Sequence, residues 1–136
     1  MEGRLSVPDG KIWYEVKGKD QKGTPLIAIL GGPGVPHNYL KTIELLADER
    51  PVVFYDQLGC GESNRPEERT LWRIDRFVKE IECLVADLGF PKPFLLGQSC
   101  GTVLACEYSL KHPDRVKGLV LSGPAMSISR FEEDAR

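Results

Sequence analysis

The sequence predicts an α/β fold, and three observations predict it. Continuous apolar runs recur along the chain, at Leu26–Leu30, Pro51–Asp56, Phe94–Leu96 and Gly118–Leu121. Helical patterns separate them, so the order after an opening hairpin is β-α-β-α-β-α-β. Glycines and prolines fall between the runs and punctuate them. Unbroken apolar runs are what strands buried on both faces require. The alternation argues for a mostly parallel sheet with helices on both faces, joined by right-handed crossovers.

Each element has its own warrant. Ser6–Val7, a turn at Asp9-Gly10 and Lys11–Val16 read as a hairpin, because Asp-Gly supplies turn geometry between alternating residues. Leu26–Leu30 is the first buried strand. Asn38–Asp48 follows as a helix, then Pro51–Asp56 as a strand. Leu71, Ile74, Phe77, Val78, Ile81, Leu84, Val85 and Leu88 recur at i, i+3, i+4, i+7 spacing, which predicts a helix over Leu71–Leu88. Phe94–Leu96 is a strand. Ser99–Lys111 is a helix that must end before Pro113, since proline restricts the residue ahead of it. Gly118–Leu121 is the last strand. There is no internal repeat, low-complexity tract or linker.

Composition narrows the function. The chain has 136 residues, 41% hydrophobic and 28% charged, enough for one real core. Net charge is −2, which offers no electrostatic attraction to nucleic acid or to an anionic membrane surface. No apolar run approaches the ~20 residues of a membrane helix. The start, Met1-Glu2-Gly3-Arg4, lacks the apolar core of a signal peptide. The four cysteines, at 60, 83, 100 and 106, form no C-x-x-C pair and do not cluster with the two histidines, so no metal site is expected. Cys83 and Cys106 sit in helical patterns and read as small core or near-core thiols. The expected compartment is cytoplasmic.

Three motifs carry chemistry. Gly97-Gln98-Ser99-Cys100-Gly101 follows an apolar strand and opens a helix, the context of a G-x-S-x-G nucleophile elbow. A strand turning directly into a helix holds the central residue in a strained conformation, and glycines on either side permit close backbone approach. Ser99 would then project its hydroxyl at the helix N-terminus, and the Cys100 amide would face a developing oxyanion. The competing structural reading is a small-residue turn without chemistry. Gly31-Gly32-Pro33-Gly34 comes directly after a strand, where its lack of side chains lets an amide face inward. It is no phosphate cradle, because G-x-x-x-x-G-K-[ST] is absent. Gly31, Gly34 and His37 are candidates to line a pocket there. Asp56-Gln57-Leu58-Gly59-Cys60-Gly61-Glu62-Ser63 ends a third strand, with Asp56 better placed to organise a loop than to catalyse.

With these stretches, and with Lys111-His112-Pro113-Asp114-Arg115-Val116-Lys117-Gly118-Leu119-Val120-Leu121, the chain resembles the N-terminal part of an α/β-hydrolase of the proline iminopeptidase family, over nearly its whole length. The resemblance implies that Ser99 is the nucleophile and that the Gly32 and Cys100 amides form the oxyanion hole. It implies a peptide with an N-terminal proline-like residue, or an amino-acid amide, as substrate, and no cofactor. It also implies that residues 1–125 are a partial hydrolase core and residues 126–136 the start of a lid. Two departures stand out: Leu30 replaces a histidine usual before G-G-P-G, and Cys100 replaces a large aromatic.

In this fold the chain order is nucleophile, acid, histidine. The only histidine after Ser99 is His112, at the far end of the elbow helix, where the helix dipole favours it. His37 lies upstream, and Asp114 comes too early. The triad acid and base therefore have no counterpart in this chain, which alone is expected to be inactive. Gly118–Leu121 would then be a bare apolar edge, covered by a second polypeptide: either the remaining half of the enzyme or a second copy. The alternatives are a non-catalytic hydrolase-fold module that associates through this edge, and an esterase or acyltransferase on the same fold.

Overall fold

The computed structural model describes residues 2–8, 10–29, 47–56, 74–98 and 101–122. Its elements are β1 (Glu2–Val7), β2 (Gly10–Lys17), β3 (Leu26–Ile29), β4 (Val52–Asp56), α1 (Ile74–Leu88), β5 (Phe94–Gln98), α2 (Gly101–Lys111) and β6 (Gly118–Ser122). They form one six-stranded sheet in the order β1-β2-β4-β3-β5-β6. β1 and β2 are antiparallel, and β2 joins β4 antiparallel. From β4 through β3 and β5 to β6 every pairing is parallel. A hairpin grafted onto a parallel sheet is what the sequence predicted.

The boundaries moved where polar residues sit inside pairing. Val7 pairs with Gly10, so the hairpin connection is Pro8-Asp9 and not Asp9-Gly10, and β1 runs back to Glu2. The register continues through the charged residues Glu2 and Arg4, which alternation of apolar residues could not flag. β5 reaches Gln98 and β6 reaches Ser122, each beyond its apolar run. α1 begins at Ile74, with Leu71 outside the described residues. Of the helix expected over 38–48, only Ala47 and Asp48 are described.

The sheet is buried from two sides. Ile27 and Ile29 of β3, Val53 and Tyr55 of β4 and Leu95 of β5 pack with Phe77, Ile81, Leu84, Leu104 and Tyr108 of the two helices. Ala28, Val52 and Phe54 point to the opposite face, where Ala47 and Leu96 pack against them. This alternation is the pleat at work, and it explains the four and five consecutive buried residues of β3 and β4. Full burial of each such aliphatic or aromatic side chain contributes about 1.5–3 kcal/mol. Both described helices lie on the first face and pack on each other.

α1 forms because its apolar positions share one stripe and Asp75 complements the positive end of the helix dipole. It ends at Gly89, whose φ of 70° is left-handed and open to glycine without penalty. The Phe90 amide donates to the Val85 carbonyl at 3.3 Å, the six-to-one bond that closes many helices, and Pro91 follows. α1 also carries a buried ion pair. Arg76, 3% exposed, bonds Glu80, 0% exposed, and its other terminal nitrogen donates to the Pro8 carbonyl at 2.6 Å. The helix is thereby tied to the hairpin connection.

Candidate active site

Three strand ends meet at one edge of the sheet. β3 lies between β4 and β5. Ala28 is level with Phe54, and Ile29 is level with Gly97. The last residues of β4 and β5, Asp56 and Gln98, therefore finish within one residue of each other, about 4.8 Å to either side of β3. The connection out of β3 leads to β4 on one side, and the connection out of β4 leads past β3 to β5 on the other. Such a reversal of direction is where open α/β sheets leave a crevice at the carboxyl ends of their strands. All three sequence motifs follow these strand ends in the chain.

The candidate residues Gly31, Gly32, Gly34, His37, Ser99 and Cys100 lie outside the described residues, as do Gln57–Ser63. Their flanks are described. Only Ser99 and Cys100 separate the end of β5 from the start of α2, so the strand passes into the helix within two residues. Gly97 shows how tight this passage is. A Cβ on Gly97 would sit 2.6 Å from the Gly101 carbonyl oxygen and 2.9 Å from Thr102 Cα. Both are backbone atoms with little freedom to yield, so any side chain at 97 would push strand and helix apart. Close backbone approach is the reason the sequence suggested for this glycine. Asp56 is completely buried at the last position of β4.

His112 is placed at the opposite end of α2. The helix has 11 residues, or roughly 16 Å at 1.5 Å per residue. There, His112 Nε2 lies 3.2 Å from Glu82 Oε1 of α1, and its ring tilts against Tyr108 with centroids 5.0 Å apart. Lys111 Nζ contacts the same Glu82 oxygen at 2.8 Å, and Lys79 lies 3.8 Å from the other. Burial alone would push the Glu82 carboxyl up, but the bonds from Lys111 and His112 and the charges of Lys111 and Lys79 hold it below its ordinary value. His112 thus belongs to a clamp between helices. Burial, reinforced by Glu82, pushes the neighbouring Cys83 thiol up, which keeps it protonated and unreactive, as a packing thiol should be.

Sequence reasoning did not find this clamp or the Arg76–Glu80 pair. Glu80 four residues after Arg76 looks like an exposed helix-face pair, and Glu82 and Lys111 are 29 positions apart in the chain. An open groove of about 630 Å³ runs between α1 and α2, lined by Ile74, Val78, Val103, Glu107 and Leu110. It holds none of the predicted site residues. Among the described residues no three His, Cys, Asp or Glu side chains gather as a metal site, and no described helix is long and apolar enough to cross a membrane.

This chain belongs to the alpha/beta hydrolase fold family, whose model matches residues 24–136. Within it, the chain is similar to the proline iminopeptidase of Heyndrickxia coagulans, with 41% identity over 99% of this chain and 47% of that protein. The crystal structure of a proline iminopeptidase from Mycobacterium smegmatis superposes with a TM-score of 0.81 at 32% identity, covering 88% of this chain and 42% of that one. VinJ superposes with a TM-score of 0.83, also at 32% identity, covering 89% of this chain and 43% of that one. The chain spans about half the length of the curated relatives it matches.

Proposed function

We propose that this chain supplies the nucleophile half of a serine hydrolase of the proline iminopeptidase type, acting on peptides with an N-terminal proline-like residue or on amino-acid amides. One observation carries the reading: the β5–α2 passage brackets Ser99 within two residues, at the edge where β3, β4 and β5 end together. Similarity to named proline iminopeptidases over nearly the whole chain supports the substrate class.

In this reading Ser99 Oγ attacks the scissile carbonyl carbon while a base takes its proton. The carbonyl oxygen becomes an oxyanion held by the Gly32 and Cys100 amides, a type of stabilisation worth roughly 3–4 kcal/mol per donor. Collapse expels the amine, which receives the proton, and leaves an acyl-Ser99 ester. Water then attacks that ester, releases the acid and restores the hydroxyl. Gly31, Gly34 and His37 shape the pocket. His112 is engaged with Glu82 at the far end of α2 and is not the base of this reading. The free thiols Cys83 and Cys106 fit a cytoplasmic setting.

A second reading, a non-catalytic module that associates through β6, is favoured by the exposure of Leu119, Val120 and Leu121. Hydrolysis of proline p-nitroanilide separates the two. The chain completed by the C-terminal part of a relative should turn it over, and Ser99→Ala should lower kcat at least 10³-fold. A completed, folded protein with no turnover would overturn the hydrolase reading.

A further inference from the structure

Among the described residues Leu110 is the most exposed large apolar side chain, at 78%. One exposed leucine is ordinary on a protein surface. Leu110, however, borders the groove of about 630 Å³ between α1 and α2, whose other apolar walls are Ile74, Val78 and Val103. An apolar projection and an apolar depression therefore share one face. Charge edges that face too, with Asp75 and Glu107 acidic and Lys111 basic.

The order of these residues along the groove follows from the topology. α1 and α2 each leave one parallel strand of the sheet and lead into another, so they run in the same direction. Glu82 of α1 meets Lys111 and His112 of α2. Four residues back along both helices, Val78 is level with Glu107. Four further back, Ile74 is level with Val103. Ile74, Asp75 and Val103 thus mark one end, Val78 and Glu107 the middle, and Leu110 and Lys111 the other end. Val103 and Leu110 are about 10 Å apart along the helix.

A second copy turned about a two-fold axis through the middle of this face reverses that order. Leu110 of each copy then enters the groove of the other beside Val78 and Val103. Lys111 of each comes between Asp75 and Glu107 of the other. Lys111 is 54% exposed beside Glu82, which leaves its ammonium open to a further acceptor. The face is self-complementary in shape and in charge, as a two-fold interface requires. A small apolar ligand would fill the groove but leave Leu110 in water, whereas a second copy covers both.

We propose that the α1–α2 face forms a two-fold dimer of this chain, with Leu110 of each copy seated in the groove of the other and Lys111 paired with Glu107 across the interface. Two helices roughly 22 and 16 Å long, about 9 Å apart, offer roughly 400 Å² per copy, the size of a transient interface. The dimer rests on this surface alone and not on the hydrolytic reading.

Sedimentation equilibrium of the 136-residue chain from about 10 μM to about 1 mM tests it. A monomer–dimer equilibrium is expected. Leu110→Lys should weaken it at least about 10-fold by burying an unpaired charge. Leu121→Lys, on exposed β6, should change it less than about threefold, which separates this face from pairing of strand edges. Glu107→Lys and Lys111→Glu should each weaken the dimer, because each sets like charges together. Mixed in equal amounts, these two variants should form a heterodimer of about wild-type strength, since both ion pairs then reform with their signs exchanged. Misfolding of either variant could not produce that rescue. A chain monomeric at about 1 mM, a dimer lost with Leu121→Lys but kept with Leu110→Lys, or a mixture that associates no better than its components overturns the proposal.

Discussion

The two ends of this sheet are built to opposite rules. β1 exposes Glu2, Arg4 and Ser6 and turns its apolar residues inward. Glu2 also accepts a hydrogen bond from Trp13 Nε1 at 2.9 Å. Charged, alternating and antiparallel, it is a strand that can face water without inviting a neighbour. β6 presents Leu-Val-Leu to solvent on both faces. The difference teaches that an edge position and an edge sequence are separate things. β1 has both, whereas β6 has an interior sequence at an edge.

The β1 edge is also fastened from behind, and the largest expected effect lies there. Removing the Arg76 side chain takes the guanidinium away from the buried Glu80 carboxylate and from the Pro8 carbonyl. Arg76→Ala should cost about 3–5 kcal/mol, the usual result of breaking a buried pair, read from urea denaturation. A loss below 1 kcal/mol would mean that this edge is not held by α1.

A matched pair of truncations tests the other edge. Leu95 and Leu119 are register partners on adjacent strands, yet Leu95 is 0% exposed and Leu119 38%. Leu95→Ala should cost about 2–4 kcal/mol, as for core leucines, and Leu119→Ala less than about 1 kcal/mol in the isolated chain. Equal losses would show β6 to be as enclosed as β5.

The smallest effect concerns pH. The Glu82 carboxyl is held below its ordinary value in the folded chain, so its contribution is present above the unfolded carboxylate range and fades as pH falls through the folded value. Glu82→Gln should flatten the acid limb of stability below about pH 4.5 by a few tenths of a kcal/mol, given the partial exposure of the cluster. A steeper acid limb in the variant would contradict the assignment.

These contrasts show what the sequence could convey. Apolar runs located β3 to β6 and 3.6-residue spacing located α1; in β3, β4 and α1 burial dictates residue type. Element ends were less legible. Gln98, Ser122 and Glu2 pair through their backbones, which side-chain polarity does not report. Register, the Arg76–Glu80–Pro8 tie and the Glu82 clamp depend on which surfaces meet, and residues far apart in the chain do not announce their partners. For the site, the G-x-S-x-G spacing encoded a strand-to-helix passage so tight that it requires glycine at position 97. That β3, β4 and β5 end level with one another is a property of register that could not be read from any single motif.

The central claim is that Ser99 is the nucleophile of a serine hydrolase. Mass mapping of a fluorophosphonate adduct tests it most directly. In the chain completed by the C-terminal part of a proline iminopeptidase, the adduct should form on Ser99 and be absent from Ser99→Ala. A completed, folded protein that leaves Ser99 unlabelled would contradict the account.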